Sequence, residues 1–372
     1  MSGDTTLWPP ATHGFPAEHL DEFLGWAADR GASDIAFQTG EPGRMEVDGV
    51  LVTATATPLD SPALATLARR IAGETTETIL RGGRPVDCSH AIAHAGSRSI
   101  RRFRVNMSPV LVAGATGINI SIRVLPGDPP TLDDLAIEPE IREAWHQTRG
   151  LTIVTGVPGS GKSTLLAAGT RSLLERGAGR IHAYEAPIEF VFDAIDAPDA
   201  LMSSSEIPRH FASFAEALRA SLRRRPTAVV VGEARDLETV EAVVRAADFG
   251  IAVYTTAHTI GVAATIRRLV AEFPAAERAE RGAALVDQLT LVVTQCLFPA
   301  PSGGRTALRE WLVFAPRLKE RLLETPQETW PAAIAAEVEA GGNDLASAGR
   351  RALEAGAIHS RDLARITAAR AP

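Results

Sequence analysis

The sequence has 372 residues, of which 45% are apolar and 22% are charged, so the chain is long enough to bury the cores of two or three domains. Its formal net charge of −7 at pH 7 excludes a strong overall attraction to nucleic acid or to an anionic membrane, although a local basic patch remains compatible with either. Cys88 and Cys296 stand far apart, which favours a reducing compartment over a disulfide framework. Because no signal-peptide pattern and no long apolar run occurs, we expect a cytoplasmic protein without strong nucleic-acid binding.

Residues 1–125 predict a small α+β domain. Helical spacing of apolar residues predicts helices at 20–30 and 62–72. Alternation of β-branched and polar residues predicts strands, most clearly in RRFRVNMSPVLV and INISIRVL. His90 and His94 are four residues apart, a spacing that suits a metal on a helix, but they lie in a strand-rich stretch. We therefore expect both histidines on the surface.

A stretch rich in proline, glycine and aspartate, PGDPPTLDDL at 126–135, predicts a linker to a second domain. From 136 to 300, apolar strands alternate with helices. The expected strands are 151–155, 181–184, 228–231 and 251–255. This order predicts an α/β domain in which helices cover both faces of a parallel sheet. Residues 301–372 are expected to form a mostly helical C-terminal subdomain.

The segment after the strand at 151–155, GVPGSGKS, matches the eight-residue phosphate-loop pattern and stands between a buried strand and a helix. Its glycines allow successive N–H groups to converge on a phosphate at a helix N-terminus. Lys162 supplies a charge between the β- and γ-phosphates, and the Ser163 hydroxyl is a magnesium ligand. The predicted nucleotide-binding residues are Gly156, Pro158, Gly159, Ser160, Gly161, Lys162, Ser163 and Thr164. The sequence therefore predicts binding of ATP with magnesium.

Three further blocks follow this loop in order, namely AYEAPIEF, VVVGEARDLET and VYTTAHT. Together with the loop they resemble the acidic box, Walker B motif and histidine box of the type II/type IV secretion and pilus-motor ATPases. Weaker similarity in GASDIAF, RFRVN and VVTQCLFP extends over nearly the whole chain. The resemblance implies a RecA-like P-loop ATPase domain preceded by a smaller PAS-like α+β domain, with a helical C-terminal portion.

The resemblance also assigns roles to two acids and one histidine, and a third acid remains a candidate. It implies that Glu233 orients or deprotonates the attacking water and that Glu189 of the acidic box is the second acid. Metal support can then come from Ser163 and from water held by nearby acids, so no strand-end aspartate is required. Glu185 is a candidate to hold such a water, but it is also compatible with a turn cap or an ion pair. His258 follows the next strand, where an imidazole can hydrogen-bond the γ-phosphate or the active-site carboxylate; the alternative is a structural role.

The arginines bear on whether the site belongs to one subunit or to a ring. Arg102 and Arg104 alternate with apolar residues and Arg123 lies on the next strand, so these cations share a sheet face. The resemblance implies that Arg104 and Arg123 approach the nucleotide when the two domains close. The alternative is a salt-bridged sheet face. Arg235 and Arg268 match other family arginines, at the nucleotide or at the subunit contact.

The sequence departs from the family pattern at several points. It has Ala36 where the family often has histidine after an aspartate, and Glu46 where an arginine often precedes Asp48-Gly49. We therefore expect the contacts of the N-terminal domain to differ from those of the family. EAPIE carries alanine where pilus retraction motors tend to have aspartate, and together with GEARD it is more similar to the ATPases of Dot/Icm-type and plasmid-conjugation systems.

The function that the resemblance implies is an ATP-hydrolysing ring motor, by family analogy a hexamer, which powers a type IV secretion or conjugation machine at the inner membrane. Its partners would be further copies of itself and the cytoplasmic parts of the membrane complex. Alternatives are a pilus retraction or extension motor, a RecA-like nucleic-acid translocase and a nucleotide-gated assembly protein with negligible turnover. The acidic net charge argues against the translocase, and Glu233 argues against the assembly protein.

Overall fold

The computed structural model describes residues 7–8, 17–93, 100–125 and 127–368. The chain divides into two compact units. The first unit comprises Met1–Asp128 and Pro187–Ala194, and the second comprises Pro129–Ala186 and Ile195–Pro372. Within the part of the chain that the structure describes, no helix is both long and apolar enough to span a membrane.

The first unit contains an antiparallel sheet and helices. Its strands are β1 Ala32–Gln38, β2 Pro42–Val47, β3 Val50–Pro58, β4 Val86–Ala93, β5 Ile100–Val112 and β6 Ala115–Val124. Its helices are α1 Leu20–Asp29, α2 Ser61–Ala72 and α3 Thr76–Arg81, with a short 3-10 helix at Ala17–His19. The order across the sheet is β3-β2-β1-β6-β5-β4, and every neighbouring pair is antiparallel.

One face of this sheet carries the core of the first unit. On β5, Phe103 and Val105 are fully buried, whereas Arg104 between them is exposed. The buried residues belong to one apolar cluster with Phe23 of α1 and Leu64 of α2. The period-two alternation of β5 therefore directs polar side chains to the opposite face, as the sequence predicts.

The expectation that His90 lies on the surface is wrong. Its side chain on β4 is only 14% exposed, and its Nε2 lies 2.8 Å from an oxygen of Asp21 on α1. Arg70 of α2 contacts the other Asp21 oxygen at 2.9 Å. Partial burial acts to raise the pKa of Asp21, but hydrogen bonds with His90 and Arg70 outweigh it, so the pKa of this carboxyl is lowered. His94 lies outside the described residues.

The second unit is built on a larger, mostly parallel sheet. Its strands are β7 Gly150–Thr155, β8 Gly179–Glu185, β9 Ala200–Glu206, β10 Ala228–Val231, β11 Ala252–Ala257, β12 Leu289–Pro299 and β13 Arg305–Val313. The strand order is β13-β12-β7-β11-β10-β8-β9. All neighbours are parallel except β13, which pairs antiparallel to β12.

Helices connect and follow these strands. They are α4 Pro139–Trp145, α5 Lys162–Glu175, α6 Phe214–Leu222, α7 Leu237–Asp248, α8 Val262–Glu272, α9 Arg278–Gln288, α10 Pro316–Leu323, α11 Trp330–Ala340, α12 Leu345–Glu354 and α13 Ser360–Ala368. Every residue of β7, β10 and β11 is buried, which is typical of parallel strands covered by helices on both faces. The predicted α/β sheet is thereby confirmed. Strands β12 and β13 were not among the predicted strands. β12 lies at the end of the predicted α/β core, and β13 lies within 301–372, which were expected to be mostly helical.

Candidate nucleotide site

The GVPGSGKS segment connects the carboxyl end of β7 to the first turn of α5. Gly156, Gly159 and Gly161 have φ values of 145°, 76° and 81°, which L side chains rarely adopt. A Cβ on Gly156 would lie 2.3 Å from the carbonyl oxygen of Gln295. The loop therefore requires glycine at these positions. The N–H groups in the first turn of α5 have no acceptor within the helix, so they are available at the end of the loop to bind an anion.

The polar groups of the loop form a cradle. Lys162 is 7% exposed, and its Nζ donates hydrogen bonds to the carbonyl oxygens of Gly156 at 2.7 Å and Val157 at 3.0 Å. The Ser160 hydroxyl is buried and has no hydrogen-bond partner among the described residues. These groups fit a phosphate anion, which accepts hydrogen bonds from all of them. They are the buried Ser160 hydroxyl, the Lys162 ammonium group and the N–H groups at the N-terminus of α5.

The predicted magnesium ligand, Ser163, lies half-buried in the first turn of α5 beside Thr164, and Pro158 is exposed on the loop. Over the ranges that the structure describes, no group of three or more His, Cys, Asp or Glu residues is arranged to hold a metal ion. The Ser163 hydroxyl is an oxygen donor of the kind that magnesium accepts beside phosphate oxygens and water, and its role as a magnesium ligand stays a prediction.

Glu233 follows β10 at the carboxyl edge of the sheet, where β10 is separated from β7 only by β11. The backbone there is held from both sides, because the N–H of Gly232 donates to Tyr184 of β8 at 2.7 Å and the N–H of Ala234 donates to Thr256 of β11 at 3.0 Å. The Glu233 side chain is 14% exposed. Glu233 therefore lies at the same edge of the sheet as the phosphate loop.

The described contacts of the Glu233 side chain involve one of its two carboxylate oxygens, Oε2. His258 Nε2 lies 3.1 Å from Oε2, and Arg235 Nε contacts the same oxygen. Within the described part of the chain, the other oxygen, Oε1, has no hydrogen bond or ion pair. The structure therefore brings Glu233, His258 and Arg235 together and leaves one carboxylate oxygen able to accept a hydrogen bond from water.

The turn that carries His258 is tied to the strand that leads into the phosphate loop. Thr155, the last residue of β7, accepts a hydrogen bond from the N–H of Thr259 at 3.0 Å, and the two hydroxyls lie 2.7 Å apart. Thr259 in turn contacts Thr265 of α8 at 2.6 Å. Arg268, further along α8, pairs with Glu272 at 2.9 Å. The ends of β7 and β11 are thus fixed relative to each other.

Glu185 is the last residue of β8, the neighbour of β10. A Cβ on Gly232 would lie 3.3 Å from the Cα of Glu185, so the two strand ends approach closely just before Glu233. The carbonyl of Glu185 accepts a hydrogen bond from the N–H of Ile207 at 2.8 Å. The structure therefore places Glu185 at the same sheet edge as Glu233.

Three predicted site residues belong to the first unit. Arg104 and Arg123 lie directly opposite each other on β5 and β6, both exposed, so they share a sheet face. Arg123 Nε donates to Asp34 of β1 at 2.9 Å. Glu189 lies in the segment Pro187–Ala194 of the same unit. The approach of these three side chains to a nucleotide stays a prediction.

Two residues at the base of the loop were missed from the sequence. Gln295 of β12 donates from Nε2 to the carbonyl oxygen of Ser160 at 2.8 Å, and Arg309 of β13 donates from Nε to Gln295 Oε1 at 2.8 Å. The signal in the sequence was the placement of Arg309 and Glu310 within an otherwise apolar strand, ALREWLV. Charged residues in such a position are buried only when they are paired.

A parallel sheet with a glycine-rich phosphate loop after β7 and a carboxylate two strands away defines a P-loop nucleotide-binding protein of the RecA-like class. The family model described as Type II/IV secretion system protein matches residues 11–302. The chain belongs to this family of secretion and pilus-motor ATPases.

Individual relatives agree with this assignment. The sequence is 33% identical to the type IV pilus retractation ATPase PilT of Pseudomonas aeruginosa over 306 residues, covering 82% of this chain and 85% of the relative. The X-ray structure of the Legionella pneumophila ATPase DotB matches with a TM-score of 0.90 and 38% identity, covering 98% of this chain and 99% of DotB. The pilus retraction motor PilT with bound ADP matches with a TM-score of 0.81 and 29% identity, over 93% and 96% of the two chains.

These matches extend over both units. They confirm the predicted fold, a RecA-like ATPase domain preceded by a smaller PAS-like α+β domain and followed by a helical C-terminal portion.

Proposed function

We propose that the chain hydrolyses ATP in the presence of magnesium and converts the energy into motion of a type IV secretion or conjugation machine. The observation that carries the proposal is the arrangement of Glu233 near the phosphate loop. Its Oε2 is held by His258 and Arg235, while Oε1 has no partner among the described residues. A carboxylate fixed by one oxygen and open at the other is suited to orienting a water molecule for attack on a γ-phosphate.

The residues of the loop would divide the remaining work. The ammonium group of Lys162, which is hydrogen-bonded to loop carbonyls in the structure, would exchange those acceptors for phosphate oxygens. Ser163 would hold magnesium, with Glu185 acting through a water molecule. Magnesium, when bound, would neutralise phosphate charge. Each of these roles uses a side chain at the carboxyl edge of the sheet.

In the proposed ring, a hexamer by family analogy, Arg104 and Arg123 would stabilise the charge that develops during hydrolysis, and Glu189 would be the second acid. Two guanidinium groups on one exposed sheet face form a surface that attracts anions. Arg123 would have to exchange its ion pair with Asp34 for phosphate oxygens. The strength of that exposed pair is low enough to permit the exchange.

The choice of machine rests on the similarity to DotB over nearly the full length of both chains, together with alanine in EAPIE. The similarity to PilT supports pilus retraction as a second candidate. With either machine, the protein would act in the cytoplasm and would be recruited to the inner membrane by a partner complex.

Two measurements test the proposal. Purified protein should release phosphate from ATP, and removal of magnesium with a chelator should stop the release; a rate that is unchanged by the chelator would contradict the magnesium role.

The tagged chain should then be isolated from membranes of its native cells. Copurification of conjugation or secretion components supports the first machine, whereas copurification of pilus components establishes the second and overturns the first.

A further inference from the structure

A series of buried polar groups, linked by hydrogen bonds, lies beneath the phosphate loop. Gln295 and Arg309 are each 3% exposed, although they lie on strands of the central sheet. The carbonyl oxygen of Ser160 accepts a hydrogen bond from Gln295 Nε2 at 2.8 Å. Gln295 Oε1 in turn accepts a hydrogen bond from Arg309 Nε at 2.8 Å. Burial of these polar groups costs free energy unless each is hydrogen-bonded. The two hydrogen bonds therefore fix the position of the phosphate loop relative to β12.

Arg309 determines which way the amide of Gln295 points. A guanidinium group only donates hydrogen bonds, so the oxygen of Gln295 must face Arg309 and its NH₂ group must face Ser160. Without the guanidinium, a rotated amide would place its oxygen against the Ser160 carbonyl. Arg309 therefore acts on the loop through Gln295, without contacting the loop itself.

The other side of the guanidinium holds the stretch that connects the first unit to α4. Arg309 Nη2 donates to the carbonyl oxygen of Leu135 at 2.9 Å, and Nη1 lies 3.2 Å from Glu138 Oε2. The beginning of the same stretch is attached to α5, because Arg171 Nη1 donates to the carbonyl oxygen of Pro129 at 2.8 Å. Residues 129–138 are thus fastened at both ends to elements that carry or support the phosphate loop.

We propose that Arg309 is a positioning residue that couples residues 129–138 to the phosphate loop through Gln295. The inference rests on nucleotide binding at this loop, as proposed above, and adds a route by which the binding affects the segment that begins the second unit. Because coupling between two sites is reciprocal, a nucleotide that fixes the loop also fixes this segment, and a displaced segment weakens nucleotide binding.

The first test measures the affinity of purified full-length variants for a fluorescent ADP. R309M and Q295M should each weaken ADP binding about 10-fold or more, and R309M/Q295M should be no weaker than the weaker single variant. Q295M leaves Arg309 with Glu138 and Leu135, so it remains informative if R309M does not fold. Multiplied losses in the double variant, or unchanged affinity in both single variants, would overturn the relay.

A matched control separates positioning from general destabilisation. Ile334 of α11 is fully buried in the second unit, so I334A should lower the stability of that unit without touching the loop. Compared at equal folded fraction, I334A should bind ADP with the wild-type affinity. An equal loss in I334A would show that Arg309 has a structural role only.

The second test follows amide exchange of residues 131–138, since Pro129 and Pro130 have no N–H. ADP should slow exchange in this segment of the wild-type protein and leave it unchanged in R309M at saturating ADP. Equal protection in both proteins would contradict the coupling. If the wild-type protein does not bind ADP at all, the proposed function fails; if it binds and the variants match it, only the coupling fails.

Discussion

Arg104 and Arg123 lie directly opposite each other on β5 and β6 of the first unit, so two cations face the same side of the sheet. Like charges in directly opposed positions destabilise a sheet. Asp34 relieves this repulsion for Arg123 alone, at 2.9 Å, and the described residues provide no ion pair for Arg104. Such a local conflict is typical of positions that serve function rather than stability.

Arg104→Ala and Arg123→Ala should therefore lower ATP turnover by about 10³-fold while changing ATP affinity little, because the charge that they stabilise develops late in the reaction. Turnover and affinity should be measured on the same preparations. Arg81→Ala is a suitable control, since Arg81 is an exposed arginine of α3 whose partner is Glu77. If Arg104→Ala and Arg123→Ala both retain full turnover, the two arginines form only a salt-bridged sheet face.

Lys162→Ala should abolish binding of ATP, because the loop amides alone leave the phosphate charge without its cation. Isothermal titration with a non-hydrolysable ATP analogue measures the loss directly. The matched control is Lys319→Ala on α10, where the lysine donates to the carbonyl oxygen of Asp287 and lies outside the loop. Near-normal affinity in Lys162→Ala would show that the nucleotide binds elsewhere.

The stability of the second unit should fall as the pH drops from about 6.5 to about 4 because of His182. Burial, with smaller contributions from Arg224 and Arg180, lowers the pKa of His182 to about 4, and its Nδ1 lies 2.7 Å from the Ser221 hydroxyl. Between the two pKa values only the unfolded chain takes up the proton, so protonation favours unfolding. The expected loss across this window is at most about 3 kcal/mol.

Urea unfolding of the wild-type protein and of His182→Asn at a series of pH values measures this effect. The difference in unfolding free energy between the two proteins should change across the window and be constant above it. A difference that is independent of pH would show that His182 is not held neutral in the folded protein.

Single-stranded DNA should neither bind tightly at physiological salt nor accelerate hydrolysis, since the chain carries a net charge of −7. Fluorescence anisotropy with a labelled oligonucleotide and a parallel phosphate-release assay measure both quantities. A strong stimulation that weakens as salt is added would favour the nucleic-acid translocase.

Features encoded by neighbouring residues were predictable from the sequence. The phosphate loop was predictable because GVPGSGKS has a buried strand before it and a helix after it. Glu233 was predictable because VVVGEARDLET resembles a Walker B motif and because Glu233 follows the apolar strand AVVV. Apolar periodicity and glycine spacing act within one turn or strand, so they need no knowledge of the remainder of the fold.

Features that depend on distant contacts were not predictable in the same way. His90 was expected on the surface, but it pairs with Asp21, which is 69 positions away in the chain. Gln295 reaches Ser160 across 135 positions, and its role becomes visible only when β12 is placed beside β7. A single sequence shows that a polar residue is present in an apolar strand, but it does not show which residue is its hydrogen-bond partner.

The most direct test of the central claim is ATP hydrolysis by Glu233→Gln compared with ATP binding by the same preparation. The amide retains the shape of the side chain and loses the carboxylate, so the variant should bind ATP with wild-type affinity and turn it over at least about 100-fold more slowly. Glu238→Gln, an exposed position on α7 paired with Arg219, should behave as wild type. Hydrolysis by Glu233→Gln at the wild-type rate would contradict the assignment of Glu233 as the residue that positions the attacking water.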